Sequence, residues 1–143
     1  MSRTAGARAR FRDYWQTVGR EPQGAGELLL SPVLEDALPP RAVQVYLPAG
    51  YRDGRDRFPV LYLQDGQNLF DPATAFMRSW HAQRALDRHA HGGAPVIAVA
   101  IPNSGVRRIH EYAPFRDRRY GGGGGEAYLA WLLGSVQPLI EKQ

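Results

Sequence analysis

The sequence predicts an α/β fold whose first strands are antiparallel and whose later strands are parallel and flanked by helices. Apolar runs of strand length alternate with longer stretches whose apolar residues recur at helical spacing. The run at residues 95–101 is continuously apolar, which is typical of a strand buried on both faces. The run at residues 58–63 stops at a turn-forming Asp-Gly-Gln-Asn string, and open α/β sheets bind ligands beyond the carboxyl ends of such strands.

The strands are expected in the following order. The first occupies residues 27–35, where Pro32 indicates an edge or a bulge, and the second occupies residues 41–48, where apolar and polar residues alternate. A polar, turn-rich stretch leads from there into the third strand, so we expect the first two strands to be antiparallel neighbours. We expect the third and fourth strands, at residues 60–63 and 95–101, to be parallel and buried on both faces.

Helices are expected at residues 80–91 and 126–142. Gly92 and Gly93 end the first, and Pro138 should kink or end the second because it lacks the N–H that a helix interior needs. The five glycines at residues 121–125 are interpreted as a mobile loop. An anion cradle is the alternative, but the Lys and Ser/Thr of a phosphate-binding loop are missing.

Composition and charge exclude several classes of function. Without cysteine, the chain has no disulfide, thiolate metal site or cysteine nucleophile. Neither a stretch of about 18 apolar residues nor a secretory signal is present, so we expect a cytoplasmic protein with no membrane partner. The net charge of +4 comes from arginines in residues 1–20. We therefore assign residues 1–24 to a basic flexible arm and expect no nucleic-acid partner.

The histidines do not predict a metal site. His89 and His91 cannot face the same way on a helix, and no carboxylate stands at ligand spacing from them. We expect neither a metal nor a cofactor.

Three strings of residues suggest a family. They are Val45-Tyr46-Leu47-Pro48, Pro59-Val60-Leu61-Tyr62 and Asp65-Gly66-Gln67-Asn68-Leu69-Phe70. In this order and spacing they resemble the Putative esterase family of α/β-hydrolases, which includes enterochelin esterases, feruloyl esterases and S-formylglutathione hydrolase. The likeness extends over residues 27–143, and Trp80 and Glu111 also match.

The resemblance implies the N-terminal half of an α/β-hydrolase sheet, with residues 25–143 forming a partial domain. In this family the nucleophile stands in a G-x-S-x-G elbow, after a helix like that at residues 126–142, and the acid and histidine come later. Ser31, Ser79, Ser104 and Ser135 all lack that context. The chain is therefore expected to be truncated and inactive alone, whereas the complete protein is expected to cleave a small-molecule carboxylic ester through an acyl-serine.

One catalytic group is implied within this chain. It is the backbone N–H of Gln67, the residue after Asp-Gly, as a donor to the oxyanion. The neighbours Asp65, Gly66 and Asn68 are candidate substrate-binding residues, and for Asp65 and Asn68 a role within the turn is the alternative.

Arg107 and Tyr112 are further candidates for substrate binding, because they follow the carboxyl end of a strand. The alternative is an ion pair between Arg107 and Glu111 that fixes a long loop.

Other functions remain open at this point. In one, the chain is a natural, catalytically inactive remnant that binds a ligand or a protein through its sheet edge. An exposed apolar edge would also favour self-association. A nucleic-acid-binding function depends on the basic arm alone.

Overall fold

The computed structural model describes residues 15–18, 24–37, 39–54 and 56–142. Most of the predicted arm at residues 1–24 lies outside these ranges. The described residues fall into two compact units: the first lies within Met1–Pro32 and Ala42–Pro102, and the second lies within Val33–Arg41 and Asn103–Gln143. The assignment of residues 25–143 to one domain stays a prediction.

A five-stranded sheet forms the first unit. Its strands are β1 (Gln16–Thr17), β2 (Glu27–Leu30), β3 (Gln44–Leu47), β4 (Val60–Leu63) and β5 (Ile97–Ala100). Their order across the sheet is β1-β2-β3-β5-β4. The pairs β1–β2, β2–β3 and β3–β5 are antiparallel, and β4 runs parallel to β5. The predicted fold class is confirmed, and strand β1 extends the sheet into the range assigned to the arm.

The two apolar runs of the sequence take different places in this sheet. All four residues of β5 are buried, because the strand lies between β3 and β4. Strand β4 is the last in the order, and its Leu61 is 44% exposed. Burial on both faces is therefore confirmed for β5, whereas for β4 the prediction is wrong.

Helix α1 (Ala82–Gly92) packs against the sheet of the first unit. Its partly buried Ala82 and Leu86 contact a core cluster that comprises Tyr46, Leu69, Phe70, Ala98 and Ala100. The hydroxyl of Tyr46 donates a 2.7 Å hydrogen bond to Asp87 of the helix. Burial and this hydrogen bond raise the pKa of Tyr46, so the phenol keeps the proton that it donates.

The second unit consists of short helices and a two-stranded ribbon. A 3-10 turn (Gly105–Arg107) leads into α2 (Arg108–Tyr112), then β6 (Arg116–Asp117), β7 (Gly121–Gly122) and α3 (Gly125–Trp131). The interpretation of the glycine run as a mobile loop is wrong, because Gly121 and Gly122 pair with β6 and helix α3 begins at Gly125. Glycine suits these positions, since Gly121, Gly122 and Gly123 have φ angles of 80°, 99° and 91°.

The predicted helix at residues 126–142 is confirmed, but it is not uniform. A π-helical segment (Leu132–Val136) follows α3, and α4 (Gln137–Glu141) follows that segment with Pro138 in its first turn. A proline interrupts the hydrogen bonding of an α-helix, and a π-bulge is one way in which a helix absorbs such a change. Within the described ranges, no helix has the length and apolar composition needed to cross a membrane.

Candidate functional site

The four predicted site residues of the first unit form a tight turn at the carboxyl end of β4. Asp65 adopts a left-handed conformation, with φ 53° and ψ 41°, and Gly66–Asn68 make one 3-10 turn. Aspartate tolerates this conformation better than most residues do, and such backbone strain is concentrated at functional sites. The N–H of Gly66 donates a 2.7 Å hydrogen bond to the carbonyl of Ile101, just after β5. The turn is therefore fixed to the buried segment that directly follows β5.

Gly66 has no room for a side chain. A Cβ atom at this position would lie 2.4 Å from the carbonyl carbon of Ala100 and 2.4 Å from the nitrogen of Ile101. Both are backbone atoms of a buried segment, so they cannot move aside as a flexible side chain would. Glycine at position 66 is thus required by the path of the chain at this edge.

Replacing Gly66 with alanine should destabilise the fold and displace the turn. We expect a loss of about 1–3 kcal/mol in the free energy of unfolding, the usual cost of forcing extra atoms into a packed site. Gly134→Ala is the matched control, because nothing lies within 4 Å of a Cβ built there. Urea denaturation of both variants measures the difference. Equal stability of the two variants would show that the close packing around Gly66 is unimportant.

The turn also holds the segment that follows it, residues 71–80, called here the 71–80 loop. The hydroxyl of Thr74 donates to the Gln67 carbonyl at 2.9 Å, and the N–H of Phe76 donates to Oδ1 of Asn68 at 2.9 Å. The N–H of Trp80 donates to the Asn68 carbonyl at 2.8 Å. The side chain of Asn68 therefore holds this loop, and its role in substrate binding stays a prediction.

The other two predicted site residues lie in the second unit. Arg107 ends the 3-10 turn before α2, is exposed, and lines a cavity of about 120 Å³. Tyr112 ends α2. Its ring centroid lies 5.5 Å from the ring centroid of Tyr128 and 5.0 Å from the guanidinium of Arg108. The structure thus brings Asp65, Gly66, Gln67 and Asn68 together in one turn and places Arg107 and Tyr112 in a different unit.

A buried ion pair forms part of the wall of that cavity. Nη1 and Nη2 of Arg41 donate to the two carboxylate oxygens of Glu111 at 3.0 and 2.5 Å, and both side chains are only 8% exposed. The guanidinium also stacks 4.8 Å from the ring centroid of Trp131. Arg41, and not Arg107, is therefore the partner of Glu111. The sequence showed Arg41 only as an arginine at the head of an apolar strand, and nothing in it indicated a partner 70 residues away.

Asp36 also lines this cavity and is hydrogen-bonded to Ser135 of the π-helical segment. Its carboxylate accepts hydrogen bonds from the hydroxyl of Ser135 and, at 3.2 Å, from Nε1 of Trp131. The bond from Ser135 is the main cause that lowers the pKa of Asp36, so the carboxylate is charged at neutral pH. Ser135 thus has a structural hydrogen bond, as do Ser31 and Ser79.

Among residues 15–18, 24–37, 39–54 and 56–142, no three His, Asp or Glu side chains are grouped closely enough to hold an ion.

Residues 39–143 match the family model described as Putative esterase. The chain belongs to the Putative esterase family. The matched range includes the turn at residues 65–68 and the ion pair of Arg41 with Glu111, and Asp36 lies outside it. The expected family is therefore confirmed.

The chain is similar to a curated esterase and to two proteins of known structure. Over 111 residues the chain is 31% identical to the siderophore triacetylfusarinine C esterase of Aspergillus fumigatus, covering 71% of this chain and 37% of that protein. An IroE-like serine hydrolase from Shewanella oneidensis has a similar structure, with a TM-score of 0.58 and 25% identity over 82% of this chain and 38% of its own. The BES protein of Bacillus cereus shares the fold, with a TM-score of 0.52 and 19% identity over 89% of this chain and 50% of its own. The chain thus spans about 37% of the length of the curated relative.

Proposed function

We propose that the full-length protein hydrolyses carboxylic esters through an acyl-serine intermediate, with the backbone N–H of Gln67 as one oxyanion donor. Membership of the Putative esterase family supports the reaction class. The turn supports the assignment of Gln67: the left-handed Asp65 and the side-chain-free Gly66 hold the next peptide group beyond the carboxyl end of β4. That end of a strand is where open α/β sheets bind their ligands.

The chemistry follows the general course of serine hydrolases. The serine Oγ attacks the ester carbonyl carbon while a histidine takes its proton, and the carbonyl oxygen becomes an oxyanion. A fixed N–H donor stabilises that charge more than it stabilises the ground-state carbonyl. The oxyanion collapses, the alcohol leaves with the proton from histidine, and water then hydrolyses the acyl-serine to the acid. G-x-S-x-G does not occur in these 143 residues, so the nucleophile is proposed for the remainder of the full-length protein.

A covalent probe tests this proposal directly. Full-length protein and a protein of residues 1–143 are treated with a fluorophosphonate and assayed with p-nitrophenyl acetate. We expect burst kinetics and one labelled serine in the full-length protein only, because acyl-enzyme formation needs the nucleophile. Absence of labelling in the full-length protein, or labelling at Ser31, Ser79, Ser104 or Ser135, would refute the proposal.

Siderophore esters are a reasonable substrate class to include in the same assay. The support is the 31% identity to a protein described as a siderophore triacetylfusarinine C esterase.

A further inference from the structure

The 71–80 loop exposes three large apolar side chains within five residues. Phe76, Met77 and Trp80 are 88%, 86% and 70% exposed. Single exposed apolar residues are common, but a group of this size on one short segment indicates a surface that contacts something apolar.

These side chains are on a loop that is fixed to the candidate catalytic turn. The hydrogen bonds of Thr74 to Gln67, and of Phe76 and Trp80 to Asn68, join the loop to the turn at three points. Phe76 is thus held by the residue that directly follows Gln67. The loop that carries these three side chains is therefore attached to the turn that contains the proposed oxyanion donor.

The loop offers little charge to a ligand. Its ionisable side chains are Asp71 and Arg78. Oδ1 of Asp71 accepts a 2.8 Å hydrogen bond from the N–H of Ala73, so this carboxylate stabilises the backbone of the loop. Apart from Arg78, the large side chains that the loop exposes are apolar, and such a surface suits an alkyl or aryl group.

We infer that Phe76, Met77 and Trp80 form an apolar wall beside the Gln67 N–H that receives the alkyl or aryl part of a carboxylic ester. The inference rests on the proposed function and adds its substrate class, namely esters with a bulky apolar group. Asn68 is a positioning residue in this arrangement, because it holds the wall through Phe76 and Trp80 and need not touch the substrate.

Chain-length selectivity of the full-length protein tests the wall. The ratio of kcat/KM for p-nitrophenyl octanoate to that for p-nitrophenyl acetate should fall about tenfold in Phe76→Ser, the lower end of what one hydrophobic contact contributes to discrimination. Asn68→Ala should lower the same ratio, because the loop loses an anchor. Phe115→Ser is the matched control, since Phe115 is 83% exposed in the second unit. An unchanged ratio in Phe76→Ser, or an equal fall in Phe115→Ser, would overturn the inference.

A binding measurement separates this inference from the proposed function. Octanamide and acetamide are titrated against the wild-type and Phe76→Ser proteins, with tryptophan fluorescence as the readout. We expect the wild-type protein to bind octanamide more tightly than acetamide. We expect the affinity for octanamide to fall about tenfold in Phe76→Ser, even if no ester is hydrolysed. Equal affinity of the wild-type and Phe76→Ser proteins for octanamide would overturn the inference. A concentration-dependent dimer that Phe76→Ser abolishes would overturn it as well, since a second copy would then be the occupant.

Discussion

Replacing Glu111 with alanine should lower the free energy of unfolding by about 3–5 kcal/mol, the usual cost of removing one partner of a buried ion pair. The loss is large because Arg41 would keep its charge at a site where its side chain is only 8% exposed. Stacking on Trp131 at 4.8 Å would hold the guanidinium there without its main counter-charge. Urea denaturation of the full-length protein measures the change.

The chain contains a matched control for this experiment. Glu27 and Arg52 form an ion pair of similar geometry at 2.7 Å, but their side chains are 35% and 48% exposed. Glu27→Ala should therefore cost only about 0–1 kcal/mol, as exposed pairs do. A double variant, Arg41→Met with Glu111→Leu, should recover much of the loss, because no unpaired charge is left. If Glu111→Ala lowered the free energy of unfolding no more than Glu27→Ala does, burial of the Arg41–Glu111 pair would add nothing to the cost of breaking it.

The second large effect concerns the proposed oxyanion donor. In the full-length protein, Gln67→Pro should reduce transition-state stabilisation by about 2.7–4 kcal/mol, the range for one such donor. Gln67→Ala should cost little, because alanine keeps the backbone N–H and proline lacks it. A 3-10 turn has φ angles of about −50 to −70°, which include the value that the proline ring imposes, and the preceding Gly66 is permissive.

The comparison needs kcat/KM and the thermal midpoint of both variants. An unchanged midpoint in Gln67→Pro shows that the fold has kept its stability. If Gln67→Ala reduced kcat/KM as much as Gln67→Pro does, with both folds intact, the side chain of Gln67 would be the catalytic group. The assignment of the backbone donor would then fail.

The sequence predicted the turn well because local chemistry determines it. An apolar run that ends in Asp-Gly has few conformations available, and the left-handed Asp65 followed by Gly66 is one of them. The antiparallel pairing of β2 with β3 and the burial of β5 followed from the alternation and continuity of their apolar residues.

The errors concern properties that depend on residues distant in the sequence. Strand β4 has the apolar composition of a buried strand, but its exposure is set by the absence of a strand on its outer side among the described residues. The ion pair of Arg107 with Glu111, given as an alternative, does not form, because helical spacing is visible in a sequence and the contact of Glu111 with Arg41 is not. The ribbon at Gly121–Gly122 was missed because glycine has no side chain to indicate a strand.

The π-helical segment at Leu132–Val136 has a consequence for how this helix can vary among related chains. An α-helix turns by about 100° per residue, so a wide turn that contains one additional residue changes which face of the following segment points inward. Here Val136 and Ile140, on either side of the junction with α4, are both buried. Deletion of one residue from this segment would thus restore regular α-helical turns, and α3 and α4 would each keep their own inward-facing residues without a change in the loops at either end.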